Sequence, residues 1–369
     1  MKHYLFIGLC LILCASCAGW SKVQKSTQVN IDVIAYYAGN GSDLDQYRFE
    51  QLDQVIFSFC HLRGNELTID DAMDTLTIQK LVALKKQHPR LKVLLSLGGW
   101  GGCAPCSEVF ATAEGRSSFV RSVKKLTQDF QTDGIDLDWE YPGIEGHPGH
   151  LFQPADKANF TALVRELRQV LGKKAEISFA AGGFDAFFEG SAEWNKVMPL
   201  VNRVNIMTYD LVNGYSTVTG HHTPLYSSPG QQLSADYAIK YLERLGVPRK
   251  KMVLGAAFYA RVWENVPDQN HGLYQSGKFK SFVPYQRFLA TINEAEGFQF
   301  YRDTIAQAPY AYNAQKKLFA TFDDQESIRQ KTLYTCKEQL GGIMFWQLVG
   351  DTRENGLLNA INSALMEKK

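Results

Sequence analysis

Residues 133–142 read Asp-Gly-Ile-Asp-Leu-Asp-Trp-Glu-Tyr-Pro, a run in which acids alternate with apolar residues. A β-strand sends successive side chains to opposite faces. Asp136, Asp138 and Glu140 therefore share one face of a predicted strand, and the intervening apolar side chains share the other. The apolar face must pack against other residues inside a fold, and the Tyr-Pro pair that follows indicates the end of the strand. The segment thus predicts a buried strand that presents a row of carboxyl groups.

This row of carboxyl groups has a chemical consequence. Each buried carboxylate carries a desolvation penalty, and neighbouring negative charges repel one another. At least one acid is therefore expected to be protonated near neutral pH, which is the condition for a general acid. A solvated edge strand and a magnesium or calcium site are the alternatives. The apolar face argues against an edge strand, and metal ligands more often come from several loops. We therefore expect acid–base chemistry with no metal and no organic cofactor.

The composition is that of a large globular chain with balanced charge. Of 369 residues, 45% are hydrophobic, and 39 basic residues against 38 acidic ones give a net charge of +1. This balance gives no indication of nucleic-acid binding. Aromatic residues make up 12% of the chain, which suits a surface that stacks on sugar rings and equally suits core filling.

Residues 1–17 have the anatomy of an export signal. A basic start precedes an apolar run over residues 4–13, which is too short to span a bilayer. Small residues before Cys17 resemble a bacterial lipoprotein cleavage box, which predicts lipidation of Cys17. Ordinary cleavage after Ala18 is the alternative. We expect an exported protein, either a cell-surface or periplasmic lipoprotein or a secreted one.

The four cysteines beyond the signal fall into two groups. Cys103 and Cys106 form a C-x-x-C pair, for which a redox site, half of a zinc site and a local disulfide are the interpretations. An exported chain favours the disulfide. Cys60 and Cys336 lie among apolar residues and are expected to be core thiols.

Eight apolar strand candidates alternate with amphipathic helical patterns along the chain. They cover residues 29–37, 54–62, 92–97, 134–141, 176–181, 203–209, 252–259 and 342–348. Eight βα units predict an α/β fold, a (β/α)8 TIM barrel. A doubly wound open sheet is the alternative, but the chain lacks the Gly-rich phosphate loop typical of it.

One connection is too long for an ordinary crossover. Between the seventh and eighth strands, residues 262–317 contain Tyr- and Phe-rich strand-like pieces and a helical piece near 285–292. A structureless loop of that length is uncommon in a compact domain. We therefore predict a small α+β insertion subdomain within a catalytic barrel that spans residues 27–369.

The predicted carboxyl ends of the strands carry a recurrent set of aromatic and polar side chains. Chemistry in parallel barrels lies at those ends. Besides the acids of the fourth strand, the set comprises Tyr36, Phe59, Ser96, Gly98, Gly99, Trp100, Met207, Tyr209, Asp210, Tyr259, Arg261 and Trp346. Aromatic walls with a few acids and one arginine suit an uncharged sugar polymer.

These motifs resemble glycoside hydrolase family 18, the chitinases and their relatives. The S-x-G-G motif is present at residues 96–99, and D-x-x-D-x-D-x-E is present at residues 133–140. Met-x-Tyr-Asp, Tyr-x-Arg and Gly-Gly-x-x-x-Trp follow at residues 207–210, 259–261 and 341–346. Where the family usually has Gly-x-Pro-x-Tyr-Gly-Arg, this chain has Gly-Ala-Ala-Phe-Tyr-Ala-Arg and keeps the Tyr and Arg.

The resemblance implies a division of roles among the acids. Glu140 would be the general acid and base, and the nucleophile would be the acetamido oxygen of the substrate. Asp138 would orient the acetamido group, Asp136 would share a proton with Asp138, and Tyr209 would donate to the acetamido oxygen. A direct attack by Asp210 is the rival mechanism.

The remaining strand-end residues would bind substrate or hold the site together. Substrate contacts are implied for Tyr36, Phe59, Trp100, Tyr141, Met207, Asp210, Arg261 and Trp346. Structural roles are implied for Asp133, Ser96, Gly98 and Gly99.

The resemblance also implies the activity and the partners. We expect a monomeric chitinase that hydrolyses β-1,4 bonds between N-acetylglucosamine units with retention. Its partners would be chitin or N-acetylglucosamine oligosaccharides, with no nucleic acid and no membrane contact beyond a lipid anchor. An endo-β-N-acetylglucosaminidase acting on N-glycans and a non-catalytic chitin-binding lectin are the alternatives.

Overall fold

The computed structural model describes Met1 and residues 31–367. The predicted export signal, with the lipidation candidate Cys17, therefore lies outside the described residues except for Met1. The described residues form fourteen β-strands and ten α-helices.

Eight of these strands close into a parallel barrel. They are β1 (Asp32–Tyr37), β2 (Gln54–Arg63), β4 (Lys92–Gly98), β5 (Gly134–Asp138), β6 (Glu176–Gly182), β7 (Arg203–Met207), β8 (Met252–Ala257) and β14 (Gly342–Trp346). Around the barrel the order is β1, β14, β8, β7, β6, β5, β4 and β2, and the pairing of β1 with β2 closes it. A short strand, β3 (Glu66–Thr68), forms a hairpin with β2. The predicted (β/α)8 barrel is confirmed.

The helices lie outside the barrel strands or within their connections. They are α1 (Ala72–Leu84), α2 (Cys106–Ala111), α3 (Ala113–Phe130), α4 (Asp156–Leu171), α5 (Asp185–Gly190), α6 (Trp194–Val197), α7 (Ala235–Arg244), α8 (Tyr285–Thr291), α9 (Gln325–Lys337) and α10 (Leu357–Met366). Local sequence fixes their starts: the Thr112 side chain caps α3, and a capping box of Asp324 and Ser327 begins α9. Within the described residues, no helix has the length and apolar character needed to cross a bilayer.

The alternation in residues 133–142 separates two buried layers. Ile135, Leu137 and Trp139 face outward and join the large core between strands and helices, where the Trp139 ring lies 5.4 Å from that of Phe110 on α2. The acids face the barrel interior. The barrel wall thus separates apolar packing on its outside from ionisable groups on its inside.

A second sheet forms the insertion. It contains β9 (Tyr259–Glu264), β10 (Lys278–Pro284), β11 (Gln299–Asp303), β12 (Ala308–Asn313) and β13 (Leu318–Thr321), in the antiparallel order β10, β9, β13, β12, β11. Helix α8 connects β10 to β11. The sheet begins at Tyr259 because β9 follows β8 after one residue, Phe258.

Candidate active site

The three acids lie at increasing height along the end of β5. Asp136 is fully buried, Asp138 is 5% exposed, and Glu140 is partly exposed beyond the last residue of the strand. The strand was predicted to run to residue 141, but its ladder ends at Asp138. Glu140 therefore stands on the loop at the mouth of the barrel.

Asp136 is held by hydrogen bonds from four strands. Its carboxylate accepts from the hydroxyls of Tyr36 (3.0 Å), Ser96 (3.0 Å) and Ser178 (2.6 Å) and from the Asn205 amide (3.1 Å). Burial raises the pKa of Asp136, and these four bonds oppose the increase. In the described structure these partners do not include Asp138, so Asp136 acts on it through charge at close range.

Asp138 and Glu140 both favour the protonated state. Burial raises the pKa of Asp138 well above its usual value, and the charges of Glu140 and Asp136 raise it further. Oδ1 of Asp138 is buried and has no hydrogen-bond partner among the described residues. Burial also raises the pKa of Glu140 to about 7, with an opposing hydrogen bond from Tyr141 and a further increase from the charge of Asp210. Glu140 can therefore carry a proton near neutral pH, as a general acid requires.

Asp210, in contrast, favours the ionised state. It adopts a φ of 56° just beyond β7, and its carboxylate accepts from Arg261 Nη2 (2.5 Å), from Arg261 Nε and from the Tyr259 hydroxyl (2.7 Å). The fully buried His222 lies 3.5 Å away through Nδ1. Burial acts to raise the pKa of Asp210, but the hydrogen bonds from Arg261, together with the nearby His222, outweigh it and hold that pKa well below its usual value.

Aromatic rings form the interior floor. Trp346 at the end of β14 stacks on Phe59, with centroids 5.6 Å apart and planes at 17°. Tyr36 lies 6.0 Å from Trp346 but is only 1% exposed and donates to Asp136. The hydrogen bond shows that Tyr36 supports Asp136, and its predicted contact with substrate stays a prediction.

Tyr209 lies beside this floor. Its ring packs against that of Tyr259 at 6.2 Å, and among the residues that the structure describes its hydroxyl makes only a weak contact of 3.9 Å with Met344 Sδ. Burial raises the pKa of Tyr209 well above its ordinary value, and the charges of Asp138 and Asp210 add to this. The hydroxyl therefore keeps its proton and remains a hydrogen-bond donor. Met207, also predicted at this site, is partly buried and packs against the interior cluster.

A second aromatic group lines the outer rim. Trp100 is 47% exposed, and its ring lies 6.4 Å from Tyr141, 5.4 Å from His147 and 6.2 Å from Tyr215. His147 and Tyr215 were not predicted. Both come from irregular loops, where periodicity gives no signal; the signal available for Tyr215 was its position five residues after the Tyr-Asp pair.

The S-x-G-G motif permits close backbone contacts. A Cβ on Gly98 would lie 2.3 Å from the Asp138 carbonyl oxygen, and one on Gly99 would lie 2.3 Å from the Phe59 ring. Both glycines have positive φ, and the Gly99 amide donates to the Asp138 carbonyl at 2.9 Å. These contacts bring β4 against the acid-bearing end of β5.

Two further predicted groups lie around the site. Asp133 is at the opposite end of β5, where its carboxylate accepts from Lys85 and from the Val93 amide, each at 2.8 Å. Cys103 and Cys106 form a disulfide that joins the loop after β4 to the start of α2, and Cys60 and Cys336 are buried. The described residues contain no cluster of three or more His, Cys, Asp or Glu side chains able to hold a metal ion.

Comparison with known proteins adds independent evidence. Residues 32–351 match the family model described as glycosyl hydrolases family 18. Chitinase A1 of Niallia circulans is 35% identical over 314 residues, which cover 78% of this chain and 44% of that protein. Chitinase B of Serratia marcescens is 27% identical over 419 residues, covering 93% of this chain and 81% of that protein. The chain thus spans less than half of the first relative and most of the second.

Among solved structures, a glycoside hydrolase family 18 N-acetylglucosaminidase from Paenibacillus barengoltzii superposes with a TM-score of 0.83 at 34% identity. The match covers 91% of this chain and 100% of that one. The compared region therefore includes most of this chain.

Proposed function

The chain belongs to glycosyl hydrolases family 18, and on that basis we propose that it is a chitinase that cleaves β-1,4 bonds between N-acetylglucosamine units. The observation that carries the proposal is the pair formed by Glu140 and Asp138 at the barrel mouth. Glu140 has a pKa of about 7 at the opening, and Asp138 below it has a buried oxygen without a hydrogen-bond partner among the described residues. One group supplies a proton, and the other can accept an N–H from a bound acetamido group.

The proposed reaction proceeds with assistance from the substrate. Family 18 is itself a recognised exception to the two-carboxylate mechanism of glycosidases. Glu140 gives its proton to the glycosidic oxygen as that bond breaks, and the acetamido oxygen bonds to the anomeric carbon to form an oxazolinium ion. The ionised Glu140 then takes a proton from a water molecule. The water oxygen bonds to the anomeric carbon, opens the oxazolinium ring and restores the original anomeric configuration.

Asp138 and Tyr209 act on the two ends of the acetamido group in this proposal. Asp138 accepts the N–H through its unpaired oxygen, which orients the carbonyl for attack and stabilises the positive charge that develops. The Tyr209 hydroxyl, protonated and nearly free of partners in the described structure, donates to the acetamido oxygen. Positioned groups of this kind act mainly in the transition state.

Asp210 is less suited to be the nucleophile. Both of its oxygens already accept hydrogen bonds from Arg261, and one also accepts from Tyr259. A direct attack would have to break a charge-assisted bidentate pair. We therefore assign Asp210 and Arg261 to substrate positioning.

A second candidate function is release of single N-acetylglucosamine units, favoured by the similarity to the Paenibacillus N-acetylglucosaminidase structure. Mass spectrometry of products from defined oligomers of four to six units separates the two functions. Internal cleavage or release of disaccharides supports the chitinase, and monomer alone supports the second candidate. Cleavage only of a high-mannose glycoprotein would instead indicate an N-glycan endoglycosidase, and binding without hydrolysis would indicate a lectin.

The acetamido requirement is tested with a matched substrate. Cellohexaose has the same β-1,4 linkage but lacks the acetamido group. We expect no cleavage of cellohexaose under conditions that degrade the N-acetylglucosamine hexamer. Equal rates on the two would exclude substrate assistance.

Export and lipidation are part of the proposal and are supported by residues 1–17 alone. Lipidation at Cys17 predicts that the mature protein partitions into detergent and begins with an acylated cysteine, as mass spectrometry would detect. Cys17→Ser should abolish this partitioning. A mature N-terminus at Gly19 would support ordinary signal cleavage instead.

A further inference from the structure

A fully buried lysine lies behind the site. Lys331 on α9 is 0% exposed, and its Nζ donates to both oxygens of Asp323 at 2.8 and 2.6 Å. It also donates to the Thr223 hydroxyl at 2.5 Å. Replacing a buried ion pair by apolar residues often leaves stability unchanged or improves it. The burial of this ion pair is therefore weak evidence for a stabilising role by itself.

The ion pair joins three parts of the structure. Asp323 follows β13 of the insertion, and Lys331 lies in the middle of α9, the helix before β14. Oδ2 of Asp323 accepts from the Ala257 amide at 3.0 Å, at the end of β8, and Oδ1 accepts from the Ser327 hydroxyl at 2.7 Å. The buried Lys331–Asp323 pair thus links the insertion, α9 and the barrel.

Thr223 connects this buried ion pair to the chain segment that carries Tyr209. Thr223 is 2% exposed, and its hydroxyl lies within donating distance of the Thr208 carbonyl oxygen at 3.1 Å and of Asp323 Oδ2 at 3.3 Å. The ladder between β7 and β8 ends at Ile206, so the peptide between Thr208 and Tyr209 lies beyond the sheet. Side-chain hydrogen bonds hold that peptide from two sides: the Thr208 hydroxyl bonds the Gly255 backbone at 2.7 and 3.0 Å, and the Thr223 hydroxyl reaches the Thr208 carbonyl.

Tyr209 has little else to orient its hydroxyl. Its only recorded polar contact within the described residues is the weak one to Met344. The direction of its ring therefore depends on the backbone at residues 208 and 209 and on packing against Tyr259.

We propose that Thr223, held in place by Lys331, is a positioning residue that sets the direction of the Tyr209 hydroxyl toward the acetamido group of the substrate. This inference rests on the proposed function, because it needs Tyr209 to act on that group. Thr223 does not touch substrate. Losing its hydroxyl should lower the rate of the chemical step and leave binding by the outer aromatic rim unchanged.

The test compares three variants on a chromogenic chitobioside and on the N-acetylglucosamine hexamer. Thr223→Val keeps the volume but removes the hydroxyl, and Thr223→Ser restores a hydroxyl. Thr332→Val is the matched control, since Thr332 is similarly buried on α9 and, within residues 31–367, its hydroxyl bonds only the Ile328 carbonyl, at 2.8 Å. We expect Thr223→Val to lose roughly tenfold in kcat with KM within about twofold. Thr223→Ser and Thr332→Val should stay within about twofold of the original kcat.

Circular dichroism measures the folded fraction of each variant, so the results that would contradict the inference can be stated in advance. Full kcat in folded Thr223→Val overturns the inference, and so does an equal loss in Thr332→Val, because general destabilisation would then explain both. If Thr223→Val does not fold, Thr223→Ala replaces it, and failure of both to fold assigns Thr223 a structural role only. An unmodified protein that cleaves no N-acetylglucosamine oligomer refutes the proposed function itself, before any variant is compared.

Discussion

Asp210 and Arg261 form a bidentate ion pair between the loop after β7 and strand β9 of the insertion. Arg261 keeps Asp210 ionised, and the charge of Asp210 contributes to the raised pKa of Glu140. The insertion therefore takes part in setting the protonation state of the proposed general acid. The electrostatics of the site depend on both sheets.

Asp210→Asn should shift the alkaline limb of the pH–rate profile to lower pH. Glu140 must be protonated to act as an acid, so the rate falls as pH rises through its pKa of about 7. Removing the negative charge at residue 210 lowers that pKa and moves the fall to lower pH. The profile of kcat/KM measures this, with Asp129→Asn on the exposed face of α3 as the control. A limb that stays in place would show that Asp210 does not act on Glu140.

Glu140→Gln should remove turnover and keep binding. The amide has nearly the same shape but cannot give up a proton, and a positioned general acid contributes roughly a hundredfold to ten-thousandfold in rate. Calorimetric titration with the N-acetylglucosamine hexamer should give an affinity close to that of the unmodified protein. Substantial residual hydrolysis would remove Glu140 from the acid role.

Asp138→Asn should fall between two other variants in activity at equal folded fraction. Its cost should be smaller than that of Glu140→Gln, because the amide oxygen can still accept the acetamido N–H, although the amide cannot ionise to stabilise the developing positive charge. Its cost should exceed that of Asp133→Ala, because Asp133 bonds Lys85 and the Val93 amide at the far end of β5. Initial rates on a chromogenic chitobioside provide the ranking, and a reversed order would contradict the assigned roles.

Much of this site follows from the alternation in residues 133–142. A period of two places all three acids on one face, whatever the rest of the chain does. The eight-strand pattern then predicts which ends converge, since all carboxyl ends of a parallel barrel lie on one side. The pattern does not predict where the strand ends. The alternation continues to residue 141, but the hydrogen-bonded ladder of β5 stops at Asp138.

The partners of the acids could not be predicted in the same way. Ser178 and Asn205 reach Asp136 from β6 and β7 only because the barrel closes, and an isolated Ser or Asn in a strand carries no signal of that contact. His222 and Thr223 lie in a long loop whose path is set by tertiary contacts with Thr321 and Lys331. Side chains on irregular backbone follow no period, so their positions need the structure.

Trp100→Ala should weaken binding of long oligomers more than short ones. Trp100 and Tyr215 form an exposed aromatic pair on which we expect the outer sugar units of longer substrates to stack, and stacking on one ring accounts for roughly a fivefold to tenfold change in affinity. KM for the hexamer should therefore rise more than KM for the trimer, with kcat little changed. Phe300→Ala on the insertion removes a comparably exposed ring, 43% against 47%, and should alter neither constant. Equal effects on trimer and hexamer would place Trp100 outside the outer binding surface.

The stability of the protein should also depend on Glu140 in a defined pH window. The pKa of Glu140 rises from 4.5 to about 7 on folding, mainly through burial. A raised folded-state pKa means that the folded protein binds the proton more tightly than the unfolded chain. Its contribution to stability is therefore full below about pH 4.5 and is lost as pH rises through about 7.

Glu140→Gln removes this dependence because the amide does not titrate. The melting temperature of the variant should match that of the unmodified protein near pH 4.5 and exceed it by a margin that widens up to about pH 7 and then levels off. Differential scanning calorimetry between pH 4 and 8 (a range of roughly four units around the two pKa values) measures the difference. Glu145→Gln, on the exposed loop after Tyr141, is the control and should give a flat difference. A margin that narrows with rising pH would mean that Glu140 is stabilised as the anion, which is incompatible with its service as the proton donor.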